Sequence, residues 1–91
     1  VGGIEINREE YKIIKNGVEI SLPRKEFELF YLLASKPGKV FKREEILDTI
    51  WGNDVIVGGR TIDVHIRKLR EKLGDDYIRT IKGVGYTFKD K

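Results

Sequence analysis

An α+β fold is what this 91-residue chain predicts: a small N-terminal antiparallel sheet, three helices and a C-terminal β-hairpin. Three observations support it. Residues 4–21 alternate apolar and polar side chains around an Asn-Gly pair, as short strands do. Residues 23–51 carry apolar stripes at helical period, interrupted by Pro37-Gly38. Residues 60–73 form a further amphipathic helix and lead into two strand-like runs joined by glycines.

Ile4-Glu5-Ile6 alternates, Asn7 to Glu10 reads as a turn, and Tyr11 to Lys15 is rich in strand formers. Asn16 and Gly17 both tolerate positive φ, which marks a tight hairpin with Val18 to Ser21 as the returning strand. Such a meander is marginally stable alone, so its apolar face needs a cover. The helix that opens at Pro23 supplies one, since the N–H that proline lacks would be unpaired there anyway. Phe27, Phe30, Tyr31 and Ala34 line one of its sides and Leu29, Leu32 and Leu33 the other. A helix apolar on both sides is expected between two layers. Lys36-Pro37-Gly38 ends it, and Val40-Phe41 is expected as a short extended link. Lys42-Arg43-Glu44-Glu45 opens a second helix, with Glu44 and Glu45 near its positive end. Ile46, Leu47, Ile50 and Trp51 are its buried stripe, and Gly52 stops it.

Residues 52–59, G-N-D-V-I-V-G-G, form a loop with three consecutive apolar β-formers. In the third helix Ile62, Ile66, Leu69 and Leu73 fall on one stripe. At about 100° per residue, the opposite side carries Arg60, Thr61, Val64, Arg67, Lys68 and Glu71. One face is tied to a core; the other offers cations, a hydroxyl and one exposed apolar side chain. That mixture suits the DNA major groove, where cations meet phosphate or guanine and Val64 a thymine methyl. It equally describes the solvated face of an ordinary surface helix. Gly74-Asp75-Asp76 is a turn, and strands Tyr77 to Lys82 and Tyr86 to Lys89 are joined at Gly83-Val84-Gly85.

Composition narrows the function classes. The length is that of one domain with a modest core. With no cysteine there are no disulfides, thiolate metal sites or thiol catalysis, which fits a reducing compartment. No apolar run approaches the roughly 20 residues of a membrane span, and no signal peptide is visible. A cytoplasmic protein that does not enter the membrane is expected. The net charge of +3 is unevenly spread: residues 60–91 hold nine Lys/Arg against five acids, residues 1–59 nine against ten. The basic excess lies in the C-terminal third, as an electrostatic footprint for nucleic acid does. Nothing supports an enzyme: there is no phosphate-binding loop, zinc-protease motif, paired-carboxylate pocket or nucleophile elbow. Cofactors are expected to be none, and the lone His65 has no companions for a metal site.

Two helices joined by a short segment, the second basic, and then a hairpin give the order of a winged helix-turn-helix. Within that order the chain resembles the OmpR/PhoB-type output domains of bacterial two-component response regulators. The strings that carry the likeness are L-P-R-K-E-F-E-L (22–29), L-L-A-S-K-P-G-K-V-F-K-R-E-E-I-L (32–47) and W-G (51–52). They continue with R-T-I-D-V-H-I-R-K-L-R-E-K-L-G (60–74) and I-R-T-I-K-G-V-G-Y-T-F (78–88), so the likeness spans the chain. It implies an N-terminal four-stranded antiparallel sheet, a recognition helix at about 60–73 in the major groove of double-stranded promoter DNA, and a wing at about 78–88 on the adjacent minor groove. It also implies that the loop holding Asn53, Asp54, Val55, Ile56 and Val57 contacts RNA polymerase in some members; the apolar run could instead dip into the core. In full-length relatives a phosphorylatable receiver domain, served by a histidine kinase, precedes this unit, and tandem dimers bind direct repeats. Residues 1–91 hold no receiver and are expected to be a single effector domain. The absent methionine favours excision from a longer chain over a naturally short regulator.

Val64, Arg67 and Lys68 are the candidates for reading bases, and Arg67 has the planar fork that grips guanine bidentately. Many relatives carry arginine where this chain has Lys68, which leaves the base preferred there open. Arg60 opposes the helix dipole, so contact with a phosphate would explain it, although a solvated arginine tolerates the small cost. Thr61 is either a phosphate donor or a helix cap. Asp63 favours the dipole and is read first as structural, with acceptance from a cytosine amino group as the other role. A neutral His65 donating to phosphate, as the matching family histidine does, stands beside a plain surface histidine. Arg70 lies to the side and is expected at a phosphate, as are Thr80 and, beyond its packing role, the Trp51 N–H. The Tyr86 hydroxyl, on a residue expected in the core, is a further phosphate donor. Lys82 reaches the minor groove; arginine, frequent there in the family, suits a narrow groove better, so lysine implies a more charge-dominated contact. The rival function is a winged-helix module that binds protein and touches nucleic acid weakly.

Overall fold

The computed structural model describes residues 4–52 and 59–89. β1 (Ile4–Asn7), β2 (Lys12–Lys15) and β3 (Val18–Ser21) form an antiparallel meander in that order. Asn7 shapes the first turn, its Oδ1 accepting from the N–H groups of Glu9 (3.0 Å) and Glu10 (3.1 Å). Asn16 and Gly17 take φ of 50° and 82°, as the hairpin signal requires. Tyr11, expected in the strand, instead adopts φ of 54° and sets its ring edge-on against Phe27 at 5.1 Å.

α1 (Arg24–Ser35) starts one residue later than expected: the Pro23 carbonyl accepts the Phe27 N–H at 2.9 Å, with Pro23 itself outside the helix. Phe27, Leu29, Phe30, Leu33 and Ala34 are buried, each large side chain contributing roughly 1.5–3 kcal/mol of burial free energy. Phe30 meets Phe88 edge-on at 5.6 Å, so α1 lies under the C-terminal sheet as well as the N-terminal one. Glu26 is buried because Lys72, from the last turn of the third helix, reaches it at 3.0 Å.

α2 (Arg43–Ile46) is led by Glu45, whose Oε1 accepts the Lys42 N–H at 3.2 Å. It then widens into a π-helical turn, Leu47–Trp51, in which the Gly52 N–H bonds to the Leu47 carbonyl five residues back. Lys25 donates to the Ile50 carbonyl at that open end, at 2.7 Å. α3 (Gly59–Leu73) buries Ile62, Ile66, Leu69 and Leu73 at 2% exposure or less, as the stripe predicts. Its C-terminus is held by Lys15 of β2, which donates to the Leu73 carbonyl at 2.7 Å.

The sheets depart from expectation. Among the described residues the N-terminal sheet has three strands, not four. Only Leu22 and Pro23 separate β3 from α1, and the link expected at Val40-Phe41 is, with Lys42, a strand, β4 (Val40–Lys42), that joins the other sheet. There β5 (Ile78–Ile81), one residue shorter at each end than expected, and β6 (Gly85–Phe88), shifted back by one, form the hairpin, and the order is β4-β6-β5. Gly85, expected in the turn, is the first residue of β6. A Cβ on it would lie 1.9 Å from the Phe41 carbonyl oxygen, so only glycine lets the strands close here.

Candidate nucleic-acid interface

Because α3 is anchored along one stripe, its remaining side chains point outward at fixed positions. Arg60, Asp63, Val64, Arg67, Lys68 and Glu71 are exposed, Val64 at 39% despite being apolar. Among the described residues Arg60, Arg67 and Lys68 enter no ion pair, although Glu71 lies within a helical turn of the last two. Lys82, at the tip of the hairpin, is likewise exposed and unpaired among those residues. The tip is a tight turn closed by the Val84 N–H on the Ile81 carbonyl at 2.9 Å, with Val84 43% exposed. By contrast Arg43, Arg70 and Lys72, on the same or adjoining elements, are all engaged within the protein.

His65 is half-buried, with its ring edge-on to Trp51 at 5.2 Å. Its Nδ1 lies 2.8 Å from the Thr61 carbonyl, which can only accept, so Nδ1 carries the proton. In the neutral ring Nε2 is then bare. Only the imidazolium has an Nε2–H left for a phosphate, which revises the expected neutral donor. Trp51 is buried and packs between His65 and the Lys25 ammonium, 5.9 Å from the ring centre. Thr61, half-buried, supplies that carbonyl from the first turns of α3.

Four candidates, Arg70, Thr80, Asp63 and Tyr86, have internal partners that sequence alone did not reveal. Arg70 Nη2 donates to the Ile78 carbonyl and to Thr80 Oγ1, both at 2.8 Å, so two expected phosphate contacts hold each other. Asp63 Oδ1 accepts from Arg43 Nε and Nη2, each at 3.3 Å, and from the Tyr86 hydroxyl. Burial, and after it this hydrogen bond to the carboxylate, hold the Tyr86 hydroxyl above its ordinary value near 10. Arg43 was passed over. A cation at the first position of α2 opposes the dipole as Arg60 does, and that was the signal that it needed a partner. Asn53 to Val57 lie outside the described residues. No group of three metal-ligating side chains occurs among those described.

Comparison with known proteins gives one family. Residues 17–88 match the model of the C-terminal domain of transcriptional regulatory proteins. The phosphate regulon transcriptional regulatory protein PhoB of Rhizobium meliloti (strain 1021) is 41% identical over 92 residues, covering 97% of this chain and 40% of that protein. Among solved structures, the Thermotoga maritima OmpR/PhoB homologue DrrB superposes with a TM-score of 0.86 at 38% identity, covering 98% of this chain and 42% of that one. The DNA-binding domain of the response regulator AdeR, solved in complex with an intercistronic region, gives 0.86 at 26% identity, with 100% and 98% covered.

Proposed function

Since the chain belongs to the family of transcriptional-regulator C-terminal domains, the DNA-binding output domains of OmpR/PhoB-type response regulators, we propose how its own residues bind DNA. The domain is a DNA-binding regulator module and not an enzyme. α3 lies in the major groove, where Arg67 takes a guanine bidentately, Lys68 adds a point charge and Val64 meets a thymine methyl. Arg60, Thr61 and the His65 imidazolium meet phosphate, with Trp51 as the wall that orients His65. The wing lays Lys82 on the minor groove. Arg70 and Thr80 border the same strands and touch phosphate only with donors left over from their mutual contact.

The observation that carries this reading is the row of cations on α3 without an internal partner among the described residues, beside Arg43, Arg70 and Lys72, which each have one. An unpaired cation on a rigid helix costs no internal bond when it moves to a phosphate or a base. The identity of the Rhizobium relative, a transcriptional regulator, and the AdeR complex support it.

The chain spans 40% of the length of that relative, and the wider setting is part of the proposal. Residues 1–91 act as one effector domain of a response regulator whose receiver is phosphorylated by a histidine kinase. Paired copies bind direct repeats in promoters, and the 53–57 segment meets RNA polymerase. No helix among the described residues is long and apolar enough to cross a membrane, in keeping with work in the cytoplasm where promoters lie.

Selection of duplexes from a random pool, followed by a salt titration of the best one, tests the core of this. Log affinity should fall with log salt at about −0.9 per phosphate contacted, and a flat response excludes the reading in favour of a protein-binding module. In the same assay Arg67→Ala should lose about 1–3 kcal/mol of discrimination at a single base position. An unchanged profile against mutated duplexes would remove Arg67 from the base-reading set.

A further inference from the structure

Two side chains of α3 reach across to the wing, and they grip the same rung of it. Thr80 of β5 and Tyr86 of β6 are register partners. Tyr86 donates its hydroxyl to Asp63 Oδ1, and Thr80 accepts from Arg70 Nη2 at 2.8 Å. Asp63 and Arg70 are seven residues apart, two helical turns or about 10 Å along the axis. With β6 already paired to β4, one contact would tie the hairpin to a single point of α3; two, spaced along the helix and meeting on one rung, fix its direction relative to that helix. Arg43 at the start of α2 steadies the first contact: both its Nε and Nη2 donate to the same oxygen, and its guanidinium stands 5.3 Å from the Tyr86 ring centre.

We propose that Asp63, Arg70, Thr80 and Tyr86 form a two-point joint that sets the wing tip against the recognition helix, so that one rigid unit reads two adjacent grooves. The inference rests on the DNA-binding reading above. It makes these four positioning residues: Lys82 reaches the minor groove because α3, together with β4, holds the hairpin at one angle. It also gives Asp63 a role inside the protein, since its Oδ1 already takes three donors. Tyr86 cannot donate to a phosphate while it donates to Asp63, having a single hydroxyl proton.

The test is a double-mutant cycle on the 91-residue chain, binding a labelled duplex selected from a random pool by the native protein. If Lys82→Ala costs roughly fivefold in affinity (about 1 kcal/mol) in the native background, the joint predicts less than about twofold in Tyr86→Phe, where the wing has already lost its aim. Asp63→Asn should weaken binding without changing the order of preference among duplexes mutated in the major groove. Thr80→Val should behave as Tyr86→Phe does, and Thr80→Ser, which keeps the acceptor, should restore the native Lys82→Ala loss. The Thr80 pair settles the matter if Tyr86→Phe does not fold. Equal Lys82→Ala losses in all backgrounds would overturn the joint, as would a shift of base preference at one position in Asp63→Asn. Native protein that selects no duplex and shows no salt dependence defeats the DNA-binding reading instead, a distinct outcome.

Discussion

The two sheets of this protein are alike in size and handedness of pairing, three short antiparallel strands each, and unlike in what they do with charge and burial. In the N-terminal sheet β3 is largely open to solvent, with Val18 62% exposed. Its surface charges neutralise one another: Lys12 lies 3.2 Å from Glu10 and 3.0 Å from Glu19. In the C-terminal sheet the central strand β6 is buried at all of its residues, and Lys82 and Arg79 face outward with no ion pair among the described residues. A sheet whose lysines are already engaged, Lys12 with acids and Lys15 with the Leu73 carbonyl, gains little by approaching a polyanion. The sheet whose free cations sit on the edge strand and the turn beside a buried central strand has both the charge and the rigid support.

The largest way to break this contrast is through one glycine in each sheet. Gly85→Ala drives a methyl into the Phe41 carbonyl, with backbone on both sides, and should cost about 3 kcal/mol or more, with loss of DNA binding. Gly17→Ala meets nothing within 4 Å and carries only the strain of φ near +82°, about 1–2 kcal/mol, with DNA binding kept in the folded fraction. Chemical denaturation of both variants checks the order. Equal losses would mean that β6 is no more central than the N-terminal hairpin.

A smaller test compares the cations. Lys82→Ala should lower the salt slope of DNA binding by about 0.9 and affinity about fivefold on every duplex alike. Lys12→Ala, in the sheet whose charges are internally balanced, should leave the salt slope as it was. Titrations at matched ionic strength decide; a slope that drops equally for both would place the N-terminal sheet on the nucleic acid too.

Much of this was legible in the chain and some was not, for physical reasons. The α3 stripe was plain because four apolar residues at one period have a single reading, and Asn16-Gly17 fixed its hairpin because few other pairs accept that backbone. The outward cations followed from the same stripe. β4 was missed because a three-residue strand has no period to detect, and its register partners lie 43 to 47 residues away, from Lys42 against Gly85 to Val40 against Thr87. The fourth N-terminal strand, taken from a family likeness, had no run of residues behind it. The π-helical turn was invisible because Ile46 to Trp51 present nearly the same stripe in either helix. Asp63 and Arg70 read as surface residues because their partners, Tyr86 and Thr80, are brought to them only by the closing of the sheet. A clue was present in Arg43, a cation where the helix dipole disfavours one.

The gentlest test uses pH on the joint between helix and wing. In the folded protein burial, and then the Asp63 carboxylate, raise the Tyr86 hydroxyl above the value near 10 that it has in the unfolded chain, against an opposing effect of Arg43. A group raised on folding stabilises fully below its unfolded value and loses that contribution as pH climbs through the folded one. The native protein alone also reports every other effect of alkaline pH on stability. The difference in stability between native protein and Tyr86→Phe cancels those effects. It should be constant up to about pH 10, then narrow as the pH rises further, because the native protein loses the phenol proton that Asp63 accepts while the variant has none to lose. Urea unfolding in a series of alkaline buffers measures it. A gap that stays level across the range would mean that the hydroxyl contributes nothing through Asp63, and that the first point of contact between α3 and the wing is packing alone.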